Sequence, residues 1–507
     1  MKKLSVIIPA QNEEGTIQAV IHEAQKLKPY EIIVVINGST DRTFDLISTL
    51  DCKVIQFPEP LGNDVGRAVG AYYSTGDFYL FLDADIVIKG EELMPFVEAM
   101  NRGAQVAFNN LDWSGALPIR PHITTVAKVA FNWITRRIQS VNSLLAVPHA
   151  ISKYAVDSIG FWNLADPIVA QTLLTELQVS MVTPASIDVI TRNRLRPIHF
   201  TNHVHSPYPI TTDRIIGDHL ASIHHLIVQK GPRCGFHDGY KNRQLVQNYV
   251  PQYNLTKAKR SAVIPVTKEK EGIQAVIQSV QLAGVDEIIV VANGSDSETI
   301  EIARTAGAIV ITFPTPLGHN VGRAIGAAIS TGEVVLFVDG DFAIPPADLV
   351  PFIQAIENGV DVALNDLQSL LDKFHPLDII SAVKYFLNLS VKRPDLLNNS
   401  MTAVPHAMHR RVIDSIGFDK LMVPPLAQVH ALLAGFNVNA VHYVDVIKPN
   451  RMRDDHTMNN SYTSAFDRIT GDHIEALHYL FQVTNSRGGF SDGERYRSIL
   501  TTLRGEK

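Results

Sequence analysis

Phe78-Tyr79-Leu80-Phe81-Leu82-Asp83-Ala84-Asp85 is the stretch from which the rest of the chain is read. An apolar run of strand length stops at two carboxylates one residue apart. Side chains on an extended segment repeat every second residue, so Asp83 and Asp85 are expected to face the same way. Two hard oxygen donors side by side suit a divalent cation, Mn2+ or Mg2+, above all when phosphates fill the remaining positions. The design returns at Val334-Val335-Leu336-Phe337-Val338-Asp339-Gly340-Asp341. A lone Asp-X-Asp also reads as a solvated turn after a core strand. Its recurrence in an equivalent setting is what gives it weight.

That recurrence belongs to an internal duplication, the first thing to look for in a long chain. Asn37-Gly38-Ser39 matches Asn293-Gly294-Ser295, and Val65-Gly66-Arg67-Ala68 matches Val321-Gly322-Arg323-Ala324. Both stand at the offset of 256 that also relates the carboxylate pairs. Ala146 to Ala150 matches Ala403 to Ala407 at 257, and Asp213-Arg214 matches Asp467-Arg468 at 254. A period of this size means two whole domains, expected at 1–253 and 254–507. The boundary lies in the polar stretch Pro251 to Lys259.

The chain has 507 residues, 46% of them hydrophobic and 19% charged, with a formal charge of −6. This composition reads as a soluble globular protein of at least two domains. It argues against a nucleic-acid partner, which would ask for a basic stripe. The two cysteines, Cys52 and Cys234, fall where the other copy has Ala308 and Gly488. A structural disulfide is not expected, and a reducing, cytoplasmic setting fits. Met1-Lys2-Lys3 and the short apolar run after it read as the first strand rather than a leader. No apolar run is long enough to span a bilayer. Any membrane contact would therefore be peripheral.

Along the first copy, Ser5–Pro9, Glu31–Ile36 and Val54–Phe57 are near-continuous apolar strands, the pattern of a parallel sheet covered on both faces. Ile17, Val20, Ile21 and Ala24 keep helical spacing between the first two. Gly62 to Tyr73 reads as a glycine-bearing loop and a small-residue helix. Strand and helix in alternation mean an α/β fold with a mostly parallel sheet flanked by helices. In that class ligands sit at the carboxyl ends of the strands, where Pro9, Asn37 and Asp83 lie.

Ser5-Val-Ile-Ile-Pro-Ala-Gln-Asn-Glu-Glu14, Ile33-Val-Val-Ile-Asn-Gly-Ser-Thr-Asp-Arg-Thr43, Gly66-Arg67-Ala68 and Leu82-Asp-Ala-Asp85 together resemble the nucleotide-binding half of a family 2 glycosyltransferase with the GT-A fold. The resemblance covers residues 4 to 110 well and the rest more loosely. It implies two tandem GT-A (nucleotide-diphospho-sugar transferase-like) domains, a nucleotide-sugar donor such as a UDP-sugar, and a divalent metal. Glu13, Asn37 and Asp41 would lie around base and ribose. Arg67 would lie near the phosphates or base, and Asp83 and Asp85 at ribose and metal. Ile36-Asn37 stands where the family has a pair of acids. Asn37 can still hydrogen-bond a uracil edge, but it is no carboxylate.

Residues 111 to 260 carry the acceptor side and the closing elements. Lys128, Arg136 and Arg137 lie on a helix that reads either as a solvated face or as acceptor-binding. His149, which recurs as His406, reads equally as a substrate contact or a structural hydrogen bond. In inverting members of the resembled family an acid soon after the Gly160-Phe161 turn acts as general base, which makes Asp166 the candidate. Asp166 before Pro167 is also a good helix N-cap. Asn193-Arg194-Leu195-Arg196 and His199 follow the expected strand Ile187–Ile190. They could clamp the diphosphate and add a metal ligand, or His199 is an ordinary loop histidine. A looser resemblance connects them with retaining sugar-phosphoglycerate synthases of the same fold, whose metal-binding histidine precedes the Asn-Arg motif instead of following it. Ile215, Ile216, Leu220, Ile223 and Ile227 mark a helix stopped at Gly231. The turn after it, with Arg233, Phe236, Asp238 and Gly239, recurs as Arg487, Phe490, Asp492 and Gly493. It reads as a docking turn for the last helix or as a lid over the donor.

The second copy keeps Asn293, Arg323 and Arg451 as donor-binding candidates and Asp339, Asp341 and His456 as metal candidates. Ser297 stands for Asp41 and Val423 for Asp166. A valine takes no proton, so the first copy is expected to be the active transferase. The acceptor is not identified by the sequence. The rival readings are a nucleotidyltransferase and a nucleotide-sugar-binding regulatory or assembly protein without turnover. A nucleotidyltransferase would want a glycine-rich, lysine-bearing loop where Gln11 to Glu14 stand.

Overall fold

The computed structural model describes residues 2–251, 253, 255–446 and 464–505. Seven strands form the first sheet: β1 (Leu4–Ala10), β2 (Glu31–Asn37), β3 (Lys53–Phe57), β4 (Phe78–Phe81), β5 (Val106–Asn109), β6 (His149–Ser152) and β7 (Met181–Ala185). Their order across the sheet is β3-β2-β1-β4-β6-β5-β7. β6 alone runs antiparallel to both neighbours, and every other pairing is parallel. The second sheet repeats this order with β8 (Arg260–Val266), β9 (Glu287–Asn293), β10 (Ile309–Phe313), β11 (Val334–Phe337), β12 (Val362–Asn365), β13 (His406–His409) and β14 (Val438–His442). The central strands are apolar without alternation because both faces are covered: Val6, Ile7, Ile8, Ile33, Val34 and Val35 are all fully buried. The α/β architecture expected from the sequence, two mostly parallel sheets flanked by helices, is what the chain adopts.

The helix Val65–Tyr73 lies on β1, and two glycines set how close it comes. A Cβ on Gly70 would stand 2.3 Å from Ile7 Cγ2, so only a bare backbone fits there. The predicted helix after β1 forms as Ile17–Gln25, with Ile17, Val20, Ile21 and Ala24 buried.

Two local expectations are corrected. β4 ends at Phe81, and Leu82 N donates to Ile7 O (3.1 Å) as the last ladder bond. The chain then turns at Ala84-Asp85, so Asp83 and Asp85 do not sit on a strand, and its two-residue period does not place them. Ile187–Ile190 is not a strand either. The amide of buried Asn109 takes both polar groups of Ile187, donating to its carbonyl at 2.8 Å and accepting from its N–H at 2.8 Å. A side chain thus replaces the ladder, and the strand lies earlier, at β7. Asn365 does the same for Val444 in the second copy.

The described residues group into two units. Unit 1 takes Met1–His225, His375–Ile379 and Ser486–Lys507; unit 2 takes Leu226–Phe374 and Ile380–Asn485. Each sheet is therefore closed by a segment that the other repeat encodes. In unit 1, Leu500 and Leu503 join the core that holds Ile7, Leu61 and Val69. Burial of each leucine side chain is worth about 2 kcal/mol. In unit 2, Val246 plays that part beside Leu317 and Val321. The turn before the last helix docks on the sheet's loop, as one of the two sequence readings held. Tyr496 N donates to Leu61 O at 2.8 Å, and Asn242 N donates to Leu317 O at 2.7 Å. Gly62, at φ +77°, has no room for a Cβ because the Glu494 carbonyl oxygen would stand 2.4 Å from it.

Candidate functional site

In unit 1 the site is built where β1, β2 and β4 end. Arg67, on the helix Val65–Tyr73, is buried and forked between two carboxylates. Its Nη2 meets Asp83 Oδ1 at 3.1 Å, and its Nη1 meets Asp64 Oδ1 at 3.0 Å. Burial opposes the charge, but Asp83 and Asp64 hold its pKa above the ordinary value. Burial pushes Asp83 upward, Arg67 opposes that, and the neighbouring Asp85 adds to it. The Asp83 side chain keeps 36% of its surface open.

Arg196 closes the other corner. Its Nη2 meets Asp85 Oδ2 at 2.7 Å and also pairs with Glu13 Oε1. Glu13 is buried, which raises its pKa against the pull of Arg196. Carboxylate oxygens from two loops thus converge on one positive charge. Hard oxygens around a cation are also what Mn2+ or Mg2+ asks for, so the residues here fit a divalent ion. Pro9, just before the end of β1, underlies the helix that carries Arg67: a Cβ on Gly66 would meet its ring carbons at 3.0 and 3.5 Å.

His199 lies in the turn Pro197–His199 and accepts the Arg196 N–H on Nδ1 at 3.1 Å. Neutral imidazole carries one proton, which this bond assigns to Nε2. A metal on either ring nitrogen requires that bond to give way. Burial, Arg196 and Arg214 together lower the pKa of His199. Arg194 is exposed, within electrostatic reach of Glu13.

Other candidates have structural work. Asn37 accepts the Leu61 N–H on Oδ1 and donates from Nδ2 to Gly62 O at 3.4 Å, so its amide holds the Pro60–Gly62 loop. Asn293 treats Leu317 and Gly318 alike, at 2.5 and 3.2 Å. Asp41 accepts from Thr43 Oγ1 (2.5 Å), Thr43 N (2.9 Å) and Glu14 N (3.1 Å). Slight burial raises its pKa, but these bonds hold it below the usual range. His149 stacks on Phe81 with ring centroids 4.9 Å apart. Its Nδ1 donates to Ala146 O at 2.9 Å. Burial, then Arg67, lower its pKa to about 3. His406 stacks on Phe337 in the same way. Lys128 is half-buried, and that burial lowers its pKa to about 8. Arg136 lies over Phe108 and Arg137 over Trp133.

Asp166 is the N-cap residue of the helix Pro167–Glu176, without a side-chain capping bond. Its Oδ1 meets Arg497 Nη2 at 2.5 Å and Arg495 Nη1 at 3.5 Å. In unit 2, Val423 is buried at this position, and Arg323 Nη2 meets Asp339 Oδ1 at 2.8 Å. Asp341 follows in the turn after β11. Arg451 and His456 lie outside the described residues, with Asn450 and Arg453.

The sequence reading missed Asp64, Arg214 and Arg495. Asp64 and Arg495 belong to the ion pairs around Arg67. Arg214 Nε is buried without a hydrogen-bond partner among the described residues, and burial lowers its pKa against the pull of Asp64 and Asp218. The signal available was the recurrence of Asp213-Arg214 as Asp467-Arg468.

No helix of the described residues is long and apolar enough to cross a membrane. Among known proteins, the sequence model described as glycosyl transferase family 2 matches residues 5–149 and 261–388, more than half of the chain. A dolichol-phosphate mannosyltransferase of Pyrococcus furiosus is 31% identical over 115 residues, 21% of this chain and 33% of that protein. A glucosyl-3-phosphoglycerate synthase of Mycolicibacterium smegmatis is 34% identical over 103 residues, 18% of this chain and 33% of that protein. The chain spans about a third of the length of the curated relatives it matches. Among solved structures, the glucosyl-3-phosphoglycerate synthase of Mycobacterium tuberculosis in complex with Mn2+, UDP and glucosyl-3-phosphoglycerate is 20% identical. It has a TM-score of 0.33 and covers 47% of this chain and 82% of that one.

Proposed function

The chain belongs to glycosyl transferase family 2, and from that premise we propose that unit 1 moves a sugar from a nucleotide-sugar donor, a UDP-sugar first among them, to an acceptor. A divalent cation, Mn2+ or Mg2+, would be held by Asp83 and Asp85. The observation that carries this reading is the pair of carboxylates just past β4, with Arg67 behind one and Arg196 across the other. When bound, the cation supplies charge to offset that of the departing nucleoside diphosphate. The chain's own residues do the rest. Arg67 holds Asp83 charged and oriented. Arg196 and Arg194 offer guanidinium groups to the phosphates, a geometry suited to paired oxygens. Asn37 and Asp41 shape the loop edges of the nucleotide cleft rather than reading the base through free side-chain atoms. An acceptor bearing a phosphate fits the names of both curated relatives.

A second reading, a retaining transfer, is favoured by one observation. Asp166, the candidate base of an inverting reaction, is engaged by Arg497 and Arg495 and so tied to the C-terminal segment. A retaining course needs no base of that kind. Unit 2 keeps Asp339, Asp341 and Arg323 but has Val423 for Asp166; on an inverting course this suits a domain that binds nucleotide without turnover, whereas on a retaining course it does not set the two units apart.

The test is a thermal-shift screen of sugar nucleotides with and without Mn2+. Ligands that bind the folded chain raise its apparent stability, by about 2.7 kcal/mol at a hundredfold excess over Kd. A metal-dependent rise with UDP-sugars is expected. A chain indifferent to every sugar nucleotide in Mn2+ would sink the reading.

A further inference from the structure

Behind Asp83 stands a line of buried ion pairs that ends in the last residues of the chain. Arg67 links Asp83 to Asp64, at 3.1 and 3.0 Å. The other oxygen of Asp64 meets Arg495 Nη2 at 3.1 Å. Arg495 then grips Asp218 with both arms, at 2.8 and 2.9 Å, and its Nε donates to Asn63 O at 3.2 Å. The Arg495 side chain is wholly buried. Each oxygen of Asp64 thus serves one guanidinium, and the orientation of Arg67 depends on Arg495 through a single shared carboxylate.

Unit 2 has the same positions and not the same line. Asn320 replaces Asp64, and Lys241 replaces Arg495. Lys241 Nζ meets Asp472 Oδ1 at 2.8 Å and Asp238 at 3.4 Å. Arg323 Nε is buried without a hydrogen-bond partner among the described residues. A lysine makes a point contact where arginine makes a fork. Among the described residues, the line from the closing segment to the Asp-X-Asp pair is complete in unit 1 only.

We propose that Arg495 is a positioning residue for the cation and diphosphate site of unit 1, acting through Asp64 and Arg67 on Asp83. The C-terminal repeat would then supply part of the working apparatus of the N-terminal one. The inference rests on the proposed donor site and goes beyond it in assigning a residue 412 positions from Asp83 in sequence to its geometry.

The test is a double-mutant cycle on the full chain, with unit 2 silenced by Asp339→Asn and Asp341→Asn. The probe is UDP with Mn2+, followed by calorimetry, and Mn2+ alone, followed by its electron spin resonance. Arg495→Lys places there the residue unit 2 tolerates, and Asp64→Asn likewise. Each alone is expected to weaken Mn2+–UDP binding on the order of tenfold, and the pair no more than Asp64→Asn does. A purely structural arginine would give effects that multiply, with losses that follow the melting temperature. That result, or an Arg495→Lys chain with unchanged affinity, overturns the inference while leaving the donor site standing. A parent chain that binds neither probe overturns both.

Discussion

Unit 1 and unit 2 share a sheet order, an Asp-X-Asp turn and an arginine on the helix behind it, yet they differ in what stands behind that arginine. In unit 1, Arg67 is backed by Asp64 and Arg495; in unit 2, Arg323 faces Asp339 with Asn320 beside it. The apolar frame is duplicated almost unchanged because packing tolerates only like volumes. The polar line has diverged, with Asn320 for Asp64 and Lys241 for Arg495. The difference shows that the frame and the polar line behind the arginine vary independently between the repeats.

The sharpest break in the comparison is Asp83→Asn set against Asp339→Asn. If unit 1 carries turnover, the first change lowers donor hydrolysis or transfer about a hundredfold, and the second leaves most of it. Loss on Asp339→Asn alone would reverse the assignment of the two units.

A second measurement concerns what the units share. His149 and His406 are buried and neutral, each with its pKa lowered to about 3, first by burial and then by the neighbouring arginine. The unfolded chain holds these protons below an ordinary pKa of about 6.5, and the folded chain does not until about 3. Stability is therefore full above about pH 6.5 and is lost as pH falls through that window. His149→Gln and His406→Gln should each flatten the fall by about 1.4 kcal/mol per pH unit, as read by denaturant titration at several pH values. Unequal slopes would show that the two stacked histidines are not equivalent.

The mildest change restores symmetry. Asn320→Asp offers Arg323 a second carboxylate where unit 1 has Asp64. A gain of about 0.5 kcal/mol in unfolding free energy is expected. A loss would mean that Lys241 and its surroundings cannot stand in for Arg495.

The strands were legible because residues such as Ile33 to Ile36 lie under helices on both faces and leave an unbroken apolar run. The repeat and the carboxylate pairs were legible for a similarly local reason. Ile187 misled because its apolar neighbours look like a strand, while its backbone is satisfied by the Asn109 side chain, 78 residues away. The hold of Asn37 on the Pro60–Gly62 loop was not legible, because residue type shows hydrogen-bonding capacity but not the partner that uses it. The exchange of closing segments was hidden by the evidence for duplication itself. Arg233 and Arg487, or Asp238 and Asp492, are so alike that nothing local says which repeat each one closes. The link between Asp64 and Arg495 spans 431 positions, which no periodicity reaches.

A ribosome makes the N-terminal repeat first, yet Arg495, Leu500 and Leu503, which complete unit 1, lie at the far end of the second repeat. Domains generally fold as they emerge, but this one must wait until the second repeat has been made. A product cut short after the first sheet would carry every motif of the donor cleft and lack the segment that completes it. Synthesis of the second repeat is thereby a condition for assembling the first unit.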